Sequence, residues 1–214
     1  MSDEWLTDIF GIKVEKREIK RPGNKPYFNV SSTLIGVLHT TEASTVDRSW
    51  NVLNGKRSAP HFITGQGRIV QCRPLGKQGS ALATNQPHTP NTHAQIQIEM
   101  ATSTAMQGNQ TKLWLPTKAV LEPTVAVMAW CAKNLGIPLE KPHPWPDDGF
   151  DLKGTIWAAN NKRRKLAATG LWPKNKGWWM HVEVPHQKPG WHHDCGQLRR
   201  TEMFRLAQEL LEKV

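Results

Sequence analysis

The spacing of hydrophobic positions changes along the chain, and each spacing predicts an element. Leu34-Ile-Gly-Val-Leu38 is a short continuous apolar run, the pattern of a buried strand. Ala94-Gln-Ile-Gln-Ile-Glu-Met100 alternates strictly, which predicts a strand with Ile96, Ile98 and Met100 on one face and Gln95, Gln97 and Glu99 on the other. His61-Phe-Ile-Thr64 and Arg68-Ile-Val-Gln71 flank Gly65-Gln-Gly67 and read as a hairpin. Ser44 is the expected N-cap of a helix running through Leu53, with Asn54-Gly55 as its stop. Between Pro116 and Leu135, apolar residues at Val120, Val127, Met128, Cys131 and Leu135 predict a second helix, ended by Gly136-Ile-Pro138. Pro123 should kink or divide it. Residues 138–156 are Pro-rich and read as loop, and Ile156 to Leu171 reads either as helix or as a basic loop around Lys162-Arg-Arg-Lys165. Thr201 to Val214 closes the chain as an amphipathic helix with Met203, Leu206, Leu210 and Leu211 facing inward.

Strands interleaved with helices predict an α/β (α+β) domain, a mixed central β-sheet flanked by helices. Residues 1–30 read as an N-terminal arm, because Ile12 to Arg21 alternates only weakly and Pro22-Gly-Asn-Lys-Pro26 interrupts it. Residues 31–214 then form the domain, including the C-terminal helix over about 201–213.

Composition narrows the class. With 38% hydrophobic and 21% charged residues in 214, the chain can bury a real core and does not read as disordered. Its net charge of +10 suits a polyanionic partner, which includes bacterial cell walls as well as nucleic acid. No zinc-finger, RNA-recognition or helix-turn-helix pattern accompanies that charge, so specific nucleic-acid binding is not expected. The 10 Trp residues offer flat apolar faces suited to sugar rings as well as to a core. Cys72, Cys131 and Cys195 are odd in number and irregular in spacing, which argues against a disulfide framework and suits a reducing cytosol. Met1-Ser-Asp-Glu-Trp5 lacks the basic start and apolar stretch of a signal peptide, and no apolar run reaches the roughly 18 residues of a membrane span. The expectation is a monomeric protein, not inserted in a membrane and made in the cytoplasm.

Candidate chemistry concentrates in two places. Gly36-Val-Leu-His-Thr-Thr-Glu42 sets His39 at the end of an apolar run. Trp178-Trp-Met-His-Val-Glu-Val-Pro185 and then His192-His-Asp-Cys-Gly196 crowd histidines, carboxylates and a thiol together. A His on one strand, a His on another and an acid beyond it could hold a metal with one position open to water, the arrangement of a hydrolytic zinc enzyme. On the residues alone, His39 and His181 read equally as satisfied core histidines, Asp194 as a turn Asp and Glu99 as a solvent-facing strand carboxylate. His61 reads as a structural or substrate-facing strand residue; His88, His93, His143 and His186 sit in Pro-flanked loops and take no role.

Taken in order, the segments resemble the zinc-dependent N-acetylmuramoyl-L-alanine amidases of the type 2 amidase and peptidoglycan recognition protein superfamily, in the form found in phage endolysins. The resemblance runs over residues 33–198 through Gly36 to Glu42, Trp50, Ala59-Pro-His-Phe-Ile63, Gly67-Arg-Ile-Val-Gln71, Ile96-Gln-Ile-Glu99, His181-Val-Glu-Val-Pro185 and Asp194-Cys-Gly196. It implies Zn2+ held by His39, His181 and Asp194, Glu99 as the proton carrier and His192 as the oxyanion partner. The family turn carries Pro where this chain has Cys195, which makes Cys195 the alternative third ligand. The implied activity is cleavage of the amide between N-acetylmuramic acid and the L-alanine of the stem peptide in bacterial peptidoglycan, acting on the wall after release from the producing cell. The competing readings are a non-catalytic peptidoglycan-binding module and a cytosolic muropeptide-recycling amidase.

Overall fold

Seven strands build one sheet in the computed structural model, which describes residues 4–20, 33–82, 90–102, 113–143, 170–185, 195 and 198–214. The strands are β1 (Asp8–Ile9), β2 (Ile12–Lys16), β3 (Ile35–Thr40), β4 (Phe62–Gly65), β5 (Arg68–Gln71), β6 (Ile96–Met100) and β7 (Gly177–Met180), and they lie in the order β1-β2-β5-β4-β6-β3-β7. β1–β2 and β4–β5 are antiparallel hairpins, while β2–β5, β4–β6, β6–β3 and β3–β7 are parallel. The mixed sheet expected from the sequence is the one observed. Residues 8–16 pair along its edge through β1 and β2.

Alternation along the strands sorts side chains onto two covered faces. On one face Leu38, Phe62, Ile69, Ile96, Ile98, Met100, Trp178 and Met180 pack under α3 (Lys118–Leu135) and α4 (Arg200–Glu212). On the other, Ile63, Val70 and Ala101 meet Val46 and Leu53 of α1 (Val46–Lys56), and farther along Ile35 and Val37 meet Trp172, Trp179 and Val184. A short helix, α2 (Pro90–His93), precedes β6. Both faces of β6 are buried, so Gln95, Gln97 and Glu99 line an interior layer and not solvent.

Local chemistry explains where elements begin and end. The β4–β5 turn is two residues, Gln66 and Gly67, with φ of +54° and +70°. Positive φ at both positions is the turn that matches strand twist, and glycine adopts it without steric cost. α1 starts one residue later than expected, at Thr45, whose hydroxyl accepts the Arg48 N–H at 3.2 Å. It also runs past Asn54-Gly55 and ends where Arg57 takes a left-handed conformation. There the Ser58 N–H reaches Leu53 O at 2.9 Å and the Arg57 N–H reaches Asn54 O at 3.0 Å, the paired bonds that close a helix end.

Pro123 does not divide α3. A proline leaves the carbonyl four residues earlier without its helical donor, here Ala119 O. The Gly67 N–H of the β4–β5 turn supplies that donor at 2.7 Å, so the hairpin tip and the helix repair each other. α4 buries Met203, Phe204 and Ala207 and sets Leu206, Leu210 and Leu211 partly buried against the same core. The basic segment 162–165 lies outside the described residues. No helix among the described residues is long and apolar enough to cross a membrane.

Candidate active site

Parallel register brings distant residues to one height. On β3 and β6, His39 stands opposite Glu99, and on β3 and β7, Leu38 stands opposite Met180. His181 is the residue after Met180, so it leaves β7 level with His39. Leu38 and Met180 point under α3 and α4, so their neighbours turn to the opposite face. The row Glu99, His39, His181 thus lies at the C-terminal ends of three adjacent parallel strands. β3 is also a switch point, with β6 and β4 on one side and β7 on the other. Open α/β sheets bind ligands in that position.

The side chains meet as the register requires. His39 Nδ1 lies 3.0 Å from His181 Nδ1, with ring centroids 4.5 Å apart and planes tilted by 57°. Glu99 Oε1 is 3.9 Å from His39 Nδ1. Exposure is 0% for His39, 3% for His181 and 5% for Glu99. Two imidazole nitrogens at that separation cannot both present lone pairs; one must carry a proton, or both must face a shared cation. Tetrahedral zinc with Zn–N bonds of about 2.0–2.1 Å sets two nitrogens about 3.3 Å apart. The imidazole pair therefore fits two corners of such a site.

Among the described residues, no group of three His, Cys, Asp or Glu side chains is placed to hold a metal. Asp194 and His192 lie outside the described residues. Cys195 is described and fully buried, with its Sγ–H directed to Leu38 O at 3.1 Å. Trp114 Nε1–H donates to Cys195 O at 2.9 Å, and the Arg199 N–H donates to Trp114 O at 3.0 Å. The thiol ties residue 195 to β3 just before His39, and the other two bonds tie the segment around it to Trp114.

His61 occupies a different position just outside β4. Its Nε2 lies 2.8 Å from Lys77 O and its Nδ1 accepts the Gln97 N–H at 3.1 Å. That pairing makes Nε2 the donor and the ring neutral. Burial pushes its pKa down to about 4. The Cys72 and Cys131 thiols are pushed up by burial, which keeps them protonated and inert.

A second buried cluster went unmarked by sequence reasoning. Arg200 grips the Glu183 carboxylate with both terminal nitrogens, at 2.8 and 2.9 Å, and His143 Nε2 stands 3.1 Å from Glu183 Oε1. His143, set aside in the sequence as a loop residue, is 5% exposed, and Glu183 and Arg200 are each 1% exposed. The available signal was an acid between two valines in Val182-Glu-Val184, since an unpartnered carboxylate is rarely buried among apolar residues.

No protein-family model and no curated protein matches the chain. Among solved structures it is similar to the Staphylococcus aureus hydrolase AmiA in complex with its ligand, with a TM-score of 0.50 and 12% identity over 93% of this chain and 83% of that one. PlyL is similar with a TM-score of 0.45 and 12% identity, covering 60% of this chain and 77% of its own. A mutant endolysin from Bacillus subtilis gives 0.44 and 14%, covering 60% and 80%. The chain shares the mixed α/β fold of the hydrolase AmiA, the fold that the resemblance in its sequence implies.

Proposed function

We propose that this protein is a zinc-dependent N-acetylmuramoyl-L-alanine amidase acting as a phage endolysin. It would cleave the amide joining N-acetylmuramic acid to the L-alanine of the stem peptide and so open the host wall. The observation that carries this reading is the meeting of His39, His181 and Glu99 at the ends of three neighbouring parallel strands. The fold shared with the Staphylococcus aureus hydrolase AmiA supports it. A net charge of +10 suits a monomer working on an anionic polymer such as peptidoglycan.

His39, His181 and Asp194 would hold the zinc. Cys195 Sγ contacts Leu38 O, and Cys195 does not join His39 and His181 in a metal-holding group among the described residues, which favours Asp194 over Cys195. Bound zinc supplies a polarised carbonyl and a more acidic water. Glu99, on a strand paired on both sides, would take a proton from water and return it to the departing amine. His192 would donate to the carbonyl oxygen as negative charge develops there.

The test joins metal content to product identity. The purified protein should carry zinc and release stem peptides bearing a new L-alanine N-terminus from intact sacculi. His39→Ala or His181→Ala should abolish both, whereas Cys195→Ala should keep the metal and Asp194→Ala should lose it. Lysis retained without metal would remove zinc from the mechanism. Wall binding without product would leave a recognition module, and cleavage confined to soluble fragments would leave a recycling enzyme.

A further inference from the structure

We infer that Glu183 and Arg200 are positioning residues for His181, their buried ion pair setting the geometry of the imidazole pair as well as packing the core. The inference rests on the zinc reading above and deepens it.

β7 stops at Met180, and His181–Glu183 form a single 3-10 turn. Where His181 points therefore depends on how that turn is held. Glu183 Oε2 folds back to accept the Met180 N–H at 2.9 Å, so the carboxylate clamps the Trp179–Met180 peptide, one residue ahead of His181. Arg200, the first residue of α4, takes the same carboxylate in a two-pronged grip and also donates from Nη1 to Trp178 O at 2.9 Å. One guanidinium thus ties α4 to the last strand before His181 and to the turn that carries it. His143 Nε2 stands at the other carboxylate oxygen, and its ring lies edge-on to Trp179 with centroids 5.8 Å apart.

Stability alone is a poor reason for this arrangement. Removing two charges from water costs about as much as their attraction returns, and apolar replacement of a buried pair is often neutral or stabilising. What apolar side chains cannot reproduce is a bidentate, directional hold on two backbone positions. Outer partners that orient metal ligands are typically worth about 10–100-fold in metal affinity.

The pair can be removed without leaving a lone charge, in the double variant Glu183→Met/Arg200→Met. Three readouts are taken on parent and variants: the thermal midpoint without metal, Co2+ affinity by chelator competition, and the visible spectrum of bound Co2+. The double variant takes the side-chain bonds from the Met180 N–H and Trp178 O and should melt below the parent, and its folded form should bind Co2+ about 10–100-fold more weakly, with an altered spectrum. Arg200→Lys keeps the charge but loses the fork, and should weaken Co2+ by about 10-fold at least. If the double variant does not fold, Arg200→Lys decides. Parent-like affinity and spectrum in either folded variant overturns the inference. A parent that binds no Co2+, and so matches His39→Ala, sinks the zinc reading instead. The positioning is then read from the ring-nitrogen NMR shifts of His39 and His181, which must move in the double variant.

Discussion

His39 and His61 are both fully buried imidazoles bordering the same strand, β6, and burial does not distinguish them. Their partners do. Backbone groups occupy both ring nitrogens of His61, one as acceptor and one as donor, so the ring has a fixed tautomer and a fixed neutral charge. His39 turns a nitrogen toward another imidazole at 3.0 Å and toward a carboxylate oxygen at 3.9 Å, a combination that favours a shared proton or cation. The first arrangement is structural, and the second is the one the proposed chemistry would use. Gln97 and Glu99 repeat the contrast two residues apart on one face of β6. Gln97 is bonded to Ala81 N and Asn91 Oδ1, while Glu99 faces His39.

The comparison breaks most visibly at Glu99. Glu99→Gln keeps the shape and removes the base, so the catalytic rate should fall about 10²–10⁴-fold with metal content unchanged. A rate within a few-fold of the parent would return Glu99 to the structural side. His61→Ala should do the reverse. It leaves the Gln97 N–H and Lys77 O unpaired beside a cavity, costing about 3 kcal/mol of stability, with metal content retained in the folded fraction. Loss of metal without loss of stability would erase the distinction between the two histidines.

The same residue predicts a pH dependence of slightly smaller reach. His61 has a folded pKa near 4 because burial disfavours its charge, against an ordinary 6.5 unfolded. Between those values the unfolded chain binds the extra proton, so stability rises with pH. Its contribution is complete above about pH 6.5 and declines as pH falls toward 4, by roughly 3 kcal/mol at most. His61→Gln should flatten unfolding free energy against pH across this window. A slope equal to the parent's would assign the dependence to other groups.

How much of this was legible in sequence follows the range of the interaction. Strict alternation located β6, and the Gly65-Gln-Gly67 signal located the hairpin, because both are written in neighbouring residues. β1 at the sheet edge and β2 beside it read only as a weakly alternating arm, since β2 pairs with β5, whose residues lie more than fifty positions away. Pro123 looked like a break because the Gly67 N–H that answers Ala119 O comes from a different part of the chain. At the candidate site, the residue types of His39, Glu99 and His181 stood out, but their meeting depends on parallel register across three strands. The Glu183–Arg200 pair was hidden for the same reason, being split between a turn and a helix seventeen positions on.

The smallest effect is expected at Gly79, and its sign tests how rigid the structural side is. A Cβ there would stand 2.9 Å from Gln97 Nε2 and 3.1 Å from His61 Cε1. The end of a glutamine can usually swing aside, which would leave only the benefit of a less flexible unfolded chain, about 0.4–1 kcal/mol in favour of Gly79→Ala. Gln97 is not free to swing, because its amide is bonded to Ala81 N at 3.2 Å and to Asn91 Oδ1 at 2.9 Å. Overpacking against a pinned group costs about 1–3 kcal/mol, so the two terms should leave Gly79→Ala destabilised by about 1 kcal/mol. Urea unfolding measures that difference directly. A stabilised variant would mean that Gln97 rearranges at little cost, and that the network holding His61 is adaptable.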